Sequence, residues 1–152
     1  MDKEPDLAWV EAKLDVVSGA SMLVSRAYIE TVGVMDDDFF LFCEDVDWCL
    51  RRGAFRFGYA HGSVVRHVHG AQSGASVNRA NRTRFSVYLM HRNAVLTARR
   101  YAGARLPAVL ALRVVQAFEE LIRFRQSRQF LWALQGFWAG IRNETGKPGW
   151  MA

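Results

Sequence analysis

Three carboxylates fall within four consecutive residues, and this stretch limits the possible folds of the chain more than any other. Glu44, Asp45 and Asp47 follow an aromatic run at 39–42 and precede Arg51. On a helix that begins near the end of the aromatic run, Asp47 and Arg51 are four residues apart and can form an ion pair on one face. Asp45 lies on another face, where a carboxylate directed into a cleft is a candidate general base. The same cluster is also typical of an ordinary first helical turn, in which acidic side chains complement the helix dipole.

Four motifs follow one another in the first half of the chain. They read SGASMLV at 18–24, AYIETVG at 27–33, EDVDWCLR at 44–51 and VVRHVHG at 64–70. In order and spacing they resemble segments of inverting, family 2 glycosyltransferases of the GT-A fold, and in particular the rhamnosyltransferase-like branch. The resemblance runs from about residue 15 to residue 101.

This resemblance implies roles for the residues of the first three motifs. Asp45 matches the catalytic base, which takes the proton of the acceptor hydroxyl. The supporting positions fall on Glu44, Asp47 and Arg51, with Asp47 and Arg51 as a structural pair. The segment Ser18, Gly19 and Ala20 is expected close to the acceptor and donor.

The fourth motif and the loop after it suggest a metal and a diphosphate site. By resemblance, His67 matches a ligand of a divalent cation, Mn²⁺ or Mg²⁺, and His69 is a second candidate, because alternate residues of a strand point to one side. The alternative is that both are ordinary surface histidines. The polar loop at 70–84 contains Arg79, Arg82 and Arg84, and it is interpreted either as a lid over a diphosphate or as a solvated surface connection.

The predicted fold class is α/β, a partial GT-A (Rossmann-like) core of a few strands and helices followed by an amphipathic helical tail. Residues 1–84 form the predicted core and residues 85–152 the tail. Strands are predicted at 16–24, 55–59 and 63–68. Helices are predicted at 26–32, between Ser25 as N-cap and Gly33 as stop, and at 45–52.

The tail is predicted to consist of three helices. The first spans Arg84–Tyr101, with Phe85, Leu89 and Leu96 directed inward, and Pro107 lies in the first turn of the second. Ser127 is a plausible cap of the third helix, in which Gly136 and Gly140 permit close helix approach. The second and third helices carry apolar stripes, made of Leu110, Val114, Phe118, Leu121 and Ile122, and of Phe130, Leu131, Leu134, Phe137, Trp138 and Ile141. These stripes fit either a packed helical hairpin or an amphipathic surface lying on a membrane.

The charge is distributed unevenly along the 152 residues. Residues 1–50 carry 12 acidic and 3 basic residues, whereas residues 51–152 carry 3 acidic and 17 basic. The second part is therefore expected to attract phosphates or anionic lipid. A nucleic-acid partner is not predicted, because no helix-turn-helix, zinc-finger or RNA-binding motif accompanies the charge. A polar amino terminus and the lack of a long apolar run predict a cytoplasmic protein. The cationic tail is expected to hold it peripherally at the inner face of the plasma membrane.

These observations lead to two competing functions. In the first, the chain is the acceptor-binding, catalytic-base half of an inverting glycosyltransferase that moves a sugar from a nucleotide-sugar donor to a cell-surface glycan or polyprenyl-linked acceptor. Nothing before residue 15 matches the donor-binding half of the family, so the chain alone is expected to be inactive and to need such an N-terminal half as a partner. In the second, it is a non-catalytic interaction module that docks on a partner protein or an anionic membrane.

Overall fold

The computed structural model describes residues 6–67, 76 and 78–151. The chain divides into two compact units. The first unit consists of Met1–Asp36 and Glu44–His67, and the second of Asp37–Cys43 and Val68–Ala152.

Three short helices make up the regular structure described in the first unit. They are α1 at Leu7–Ala12, α2 at Arg26–Val32 and α3 at Glu44–Leu50. The caps predicted for α2 are confirmed, since Ser25 Oγ accepts a hydrogen bond from the Tyr28 N–H at 3.2 Å. Gly33 ends the helix at φ 85°, a left-handed conformation that glycine adopts without steric cost.

The predicted α/β fold is wrong, because the described residues contain no strand and the regular structure among them is helical. Residues 16–24, 55–59 and the described part of 63–68 lack the ladder of backbone hydrogen bonds that a sheet requires. Side chains of the helices bond several of their backbone groups instead. The N–H of Val17 donates to Cys49 Sγ, and the N–H of Tyr59 donates to Glu11 Oε1. The alternating pattern at 55–59 therefore indicates a segment that buries part of its aromatic side chains, but not a strand.

Three longer helices form the second unit. They are α4 at Arg84–Tyr101, α5 at Leu106–Ile122 and α6 at Ser127–Ile141, and short 3₁₀ turns lie at Arg79–Asn81, Gly103–Arg105 and Gly149–Met151. The predicted bounds of α4 and the position of Pro107 in the first turn of α5 are confirmed. None of the described helices is long and apolar enough to cross a membrane.

The core of the second unit lies where α6 packs along α4. Leu89 and Leu96 of α4 are buried, as predicted, and Ala139 of α6 packs against Leu89. The two glycines of α6 allow this approach: a Cβ at Gly140 would lie 2.7 Å from the Arg92 carbonyl oxygen, and one at Gly136 would overlap the Tyr88 carbonyl. The predicted close approach of the helices is therefore confirmed.

The aromatic run at 39–42 belongs to the second unit and forms an irregular turn. Phe40, Phe42 and Cys43 have φ of 61°, 68° and 67°, a left-handed conformation that is unfavourable for side chains of this size. Two buried residues of α4 bind the carbonyls of the turn. Arg92 Nη2 donates to the Phe39 carbonyl at 2.9 Å, and Asn93 Nδ2 lies 2.7–2.8 Å from the carbonyls of Phe39, Leu41 and Phe42.

Candidate functional site

Asp45 lies in the first turn of α3, where its carboxylate contacts the segment 18–20. Asp45 Oδ2 accepts a hydrogen bond from the Gly19 N–H at 3.0 Å, and Oδ1 accepts one from the Val46 N–H at 2.8 Å. Ser18 shapes this turn, since its Oγ accepts a hydrogen bond from the Ala20 N–H at 3.3 Å. The structure thus brings together two of the predicted site segments, which are 26 residues apart. Asp45 is half-buried, and its oxygens keep further lone pairs for another donor.

Glu44 adds a second carboxyl group to the start of α3. Within the described residues, its Oε2 atom is buried and has no hydrogen-bond partner. Burial raises the pKa of the Glu44 carboxyl, and the negative charge of Asp45 raises it further, while the Glu44 backbone N–H partly offsets both effects. Adjacent carboxyls in unequal environments are a common arrangement for acid and base chemistry.

Asp47 forms the predicted ion pair with Arg51, which is confirmed at 2.9 Å between Nε and Oδ2. The Asp47 side chain is fully buried. The two Nη atoms of Arg51 donate to the carbonyls of Val32 and Val34, each at 2.8 Å. The guanidinium thus joins α3 to the carboxyl end of α2, where a cation is favourable. Asp47 and Arg51 position α3 and do not leave a carboxylate available for substrate.

Aromatic residues complete the packing of α3 against α2. Trp48 Nε1 donates to the Gly33 carbonyl at 2.8 Å, and the Tyr28 hydroxyl donates to the Trp48 carbonyl at 2.6 Å. The two rings meet edge to face with centroids 5.2 Å apart. Several contacts therefore hold α3 against α2, and Asp45 lies in the first turn of this held helix.

A cleft of about 840 Å³ opens in the first unit beside this contact. Its lining is mostly apolar and includes Leu14, Val16, Tyr28, Trp48 and Phe57, with Ser18 at one side. The Asp45 carboxylate does not line this cleft, although Ser18, next to the Gly19 that it binds, does. Glu11 also lines it and was not predicted as a site residue, because a single acidic residue near the amino terminus carries no recognisable pattern.

The arginines of the predicted lid belong to the second unit, and two of them have intramolecular partners there. Arg82 Nε donates to the Ser76 carbonyl at 3.0 Å. Arg84 is the first residue of α4, donates to Gln135 Oε1 at 3.2 Å and lies 4.4 Å from the ring centroid of Trp150. The side chain of Arg79 lies outside the described part. The diphosphate role of the three arginines stays a prediction.

The described residues do not show the two predicted metal ligands in one site. His67 is exposed, and His69 lies outside the described residues. No group of three or more histidine, cysteine, aspartate or glutamate side chains that could hold a metal ion occurs in the described part of the chain. The described residues thus do not form a complete ion site, and the divalent cation stays a prediction.

Comparison with known proteins gives a distant relative. The chain is 24% identical over 144 residues to the low-salt glycan biosynthesis hexosyltransferase Agl10 of Haloferax volcanii. The match covers 89% of this chain and 45% of the relative, so the chain spans less than half of the relative's length. No family model matches the chain, and no solved structure gives a significant match. The similarity supports a relationship to glycosyltransferases of glycan biosynthesis.

Proposed function

We propose that this chain carries the catalytic-base part of an inverting glycosyltransferase that acts in glycan biosynthesis. The donor is a nucleotide-activated hexose, and the rhamnosyltransferase-like motifs make a deoxyhexose such as rhamnose one sugar to test. The acceptor is a hydroxyl group of a glycan or of a polyprenyl-linked sugar at the cytoplasmic face of the membrane. The observation that carries the proposal is the Asp45 carboxylate, bound to Gly19 of the SGA segment, in a chain that is similar to a hexosyltransferase.

In the proposed reaction Asp45 is the base and the acceptor hydroxyl is the nucleophile. The hydroxyl proton moves to the Asp45 carboxylate while the hydroxyl oxygen forms a bond to the anomeric carbon of the donor. The bond from that carbon to the diphosphate breaks, and the nucleoside diphosphate leaves with the electron pair. Attack from the side opposite the diphosphate inverts the anomeric configuration. A positioned base of this kind contributes about 10²–10⁴ in rate.

The surroundings of Asp45 suit this role. Peptide N–H groups hold the carboxylate in one orientation, and orientation is a large part of what a catalytic group supplies. The raised pKa of Glu44 leaves that carboxyl protonated to higher pH than an ordinary glutamate. Glu44 therefore gains its negative charge beside the base at a higher pH than an ordinary glutamate would.

The donor-binding part belongs, in this proposal, to a segment outside the 152 residues. The chain matches 45% of the hexosyltransferase relative, which is the observation behind this assignment. His67, His69 and a divalent cation remain proposals for the complete enzyme.

The test is acceptor-dependent release of nucleoside diphosphate from a panel of nucleotide hexoses, with polyprenyl-linked sugars as acceptors. It is run on the 152-residue chain and on a hybrid in which this chain replaces the matching segment of the Haloferax relative. We expect release by the hybrid, and Asp45→Asn should lower it by about 10²–10⁴. The matched control is Asp37→Asn, which makes the same charge change at an exposed residue of the second unit. Release that Asp45→Asn does not lower, or no release by either folded protein, would overturn the proposal.

A non-catalytic module that docks on an anionic membrane is the second candidate. It is favoured by exposed apolar side chains of α5 in the second unit, among them Leu112, Val115 and Ile122. The same assay separates the two candidates, because a docking module gives no acceptor-dependent release in any hybrid.

A further inference from the structure

One face of α5 is exposed and almost entirely apolar. The exposed residues recur at intervals of three and four, which places them on one side of the helix. Six of them lie together on this side, namely Ala108, Ala111, Leu112, Val115, Phe118 and Ile122, and the other exposed residues of α5 are Pro107 and Leu121. Leu112, Val115 and Ile122 keep 51%, 56% and 75% of their surface accessible. We call these six residues the α5 stripe.

The side of α5 that packs into the unit carries several of the helix's polar residues. Glu120 is buried beside Ala117, and Arg113 is half-buried, with one Nη atom donating to Gln116 Oε1 at 2.9 Å. A surface helix of a protein surrounded by water has the reverse arrangement, with its apolar side inward. A contiguous exposed apolar patch commonly marks a surface that binds another protein or a membrane.

Cations border the carboxyl end of the α5 stripe. Arg123 and Arg125 lie in the turn after α5, Arg128 lies in the first turn of α6, and all three are exposed. From Leu106 to Ile141 the acidic residues are Glu119 and Glu120, and the second of these is buried. The surface that adjoins the stripe is therefore strongly cationic.

We propose that the α5 stripe and these three arginines bind the surface of an anionic lipid bilayer. The apolar side chains enter the boundary between headgroups and acyl chains, and the guanidinium groups bind lipid phosphates. Charge complementarity selects this occupant. A second copy of the same face offers the arginines only the half-buried Glu119 as an anion, whereas an anionic leaflet attracts each basic residue near its surface.

The test is flotation of the 152-residue chain with vesicles of phosphatidylcholine alone and of phosphatidylcholine mixed with phosphatidylglycerol. We expect binding to the mixed vesicles and much weaker binding to the neutral ones. Replacing Arg123, Arg125 and Arg128 by Gln should weaken binding about a hundredfold, from about fivefold per arginine. The matched control replaces the exposed Arg26, Arg56 and Arg66 of the first unit by Gln, which changes the net charge equally.

A second variant tests the apolar part of the surface. Leu112→Gln, Val115→Gln and Ile122→Gln together should abolish flotation, while Leu23→Gln, Val34→Gln and Val64→Gln, at exposed residues of the first unit, should not. Circular dichroism checks that each variant is folded. Asp45→Asn should bind vesicles like the unaltered chain, so failure here and failure of the proposed transferase are distinguishable.

Three outcomes would overturn the proposal. The first is equal binding to neutral and anionic vesicles, or to neither. The second is an equal loss of binding in the arginine variant and its control, which would show that net charge alone is responsible. The third is a dimer, seen by light scattering, that the α5 stripe variant dissociates, because the stripe would then be covered by a second copy.

Discussion

Asn93 places one amide group against three peptide carbonyls of the aromatic turn. Its Nδ2 atom has two hydrogens for the carbonyls of Phe39, Leu41 and Phe42, so they share these donors at 2.7–2.8 Å. The side chain is fully buried, and the turn that it binds includes left-handed Phe40 and Phe42. Such a conformation persists only when surrounding contacts hold it.

We therefore predict that Asn93→Ala lowers the free energy of unfolding by about 1–3 kcal/mol, because buried carbonyls lose their donor. Urea unfolding followed by circular dichroism measures the change. Asn81→Ala, at an exposed position of the 3₁₀ turn Arg79–Asn81, is the control and should stay within about 0.5 kcal/mol. Equal stability of Asn93→Ala and the unaltered chain would contradict a holding role for this amide.

Sequence reasoning missed Asn93 and Arg92, although a signal was present. Phe85, Leu89 and Leu96 form the predicted inner face of α4, and Arg92 lies on that same face between Leu89 and Leu96. A charged residue in such a stripe indicates a buried partner. The left-handed conformation of Phe40, Phe42 and Cys43 has no comparable signal, since these residue types rarely adopt it.

Glu44 is expected to make stability depend on pH. Its pKa in the folded chain is raised above the ordinary value of 4.5, chiefly by burial. At a pH between the pKa of the unfolded chain and that of the folded chain, the folded chain binds more protons than the unfolded chain. The stabilisation from the protonated carboxyl is therefore complete below the unfolded-state pKa and is lost as pH rises through the folded-state pKa.

Glu44→Gln should remove this dependence. We expect the variant to match the unaltered chain at about pH 4 and to melt at a higher temperature at about pH 8, because the amide carries no charge to desolvate. Thermal unfolding at several pH values measures the difference. Glu30→Gln, at an exposed residue of α2, should leave the pH profile unchanged. A variant with the original profile would show that the Glu44 carboxyl is not perturbed by burial.

At the scale of the elements, helices were predictable and the fold class was not. The signals for α2 and α4 are local, an N-cap serine before α2 and an apolar period of 3.6 residues in α4, and the structure has both helices at the predicted residues. A strand needs a neighbouring strand, which no local pattern supplies. At Val17 and Tyr59 the partner of the backbone N–H is a side chain of α3 or α1.

The packing of α6 on α4 gives a prediction at the same scale. A Cβ on Gly140 would lie 2.6 Å from Val95 Cβ and 2.7 Å from the Arg92 carbonyl oxygen. Backbone and a β-branched side chain yield little, so Gly140→Ala should destabilise the chain by about 1–3 kcal/mol in spite of the better helix propensity of alanine. Gly149→Ala is the control, because no atom lies within 4 Å of the added methyl group. A neutral or stabilising Gly140→Ala would show that the two helices separate at low cost.

At the scale of the whole molecule, the resemblance anticipated part of the candidate site. It put Asp45 and the SGA segment in one site, and the bond between Gly19 and Asp45 agrees with that grouping. The catalytic role of Asp45 nevertheless stays a prediction, because a hydrogen bond to a peptide N–H also suits a structural carboxylate. The sequence also could not show which side of α5 the rest of the unit covers: in the predicted stripe, Leu110 and Val114 are half-buried, whereas Phe118, Leu121 and Ile122 are exposed.

The uneven charge of the chain predicts how the proposed membrane binding responds to salt. Residues 51–152 carry 17 basic and 3 acidic residues, and attraction between exposed charges weakens as the Debye length falls from about 10 Å at 0.1 M salt to about 3 Å at 1 M. Burial of the α5 stripe is not screened in this way. Flotation with anionic vesicles should therefore decrease with added NaCl, but a fraction of the chain should stay bound at high salt. The combined variant Leu112→Gln, Val115→Gln and Ile122→Gln should lose this remaining bound fraction. Complete release of the unaltered chain by salt would mean that the arginines act alone and that the apolar stripe stays in water.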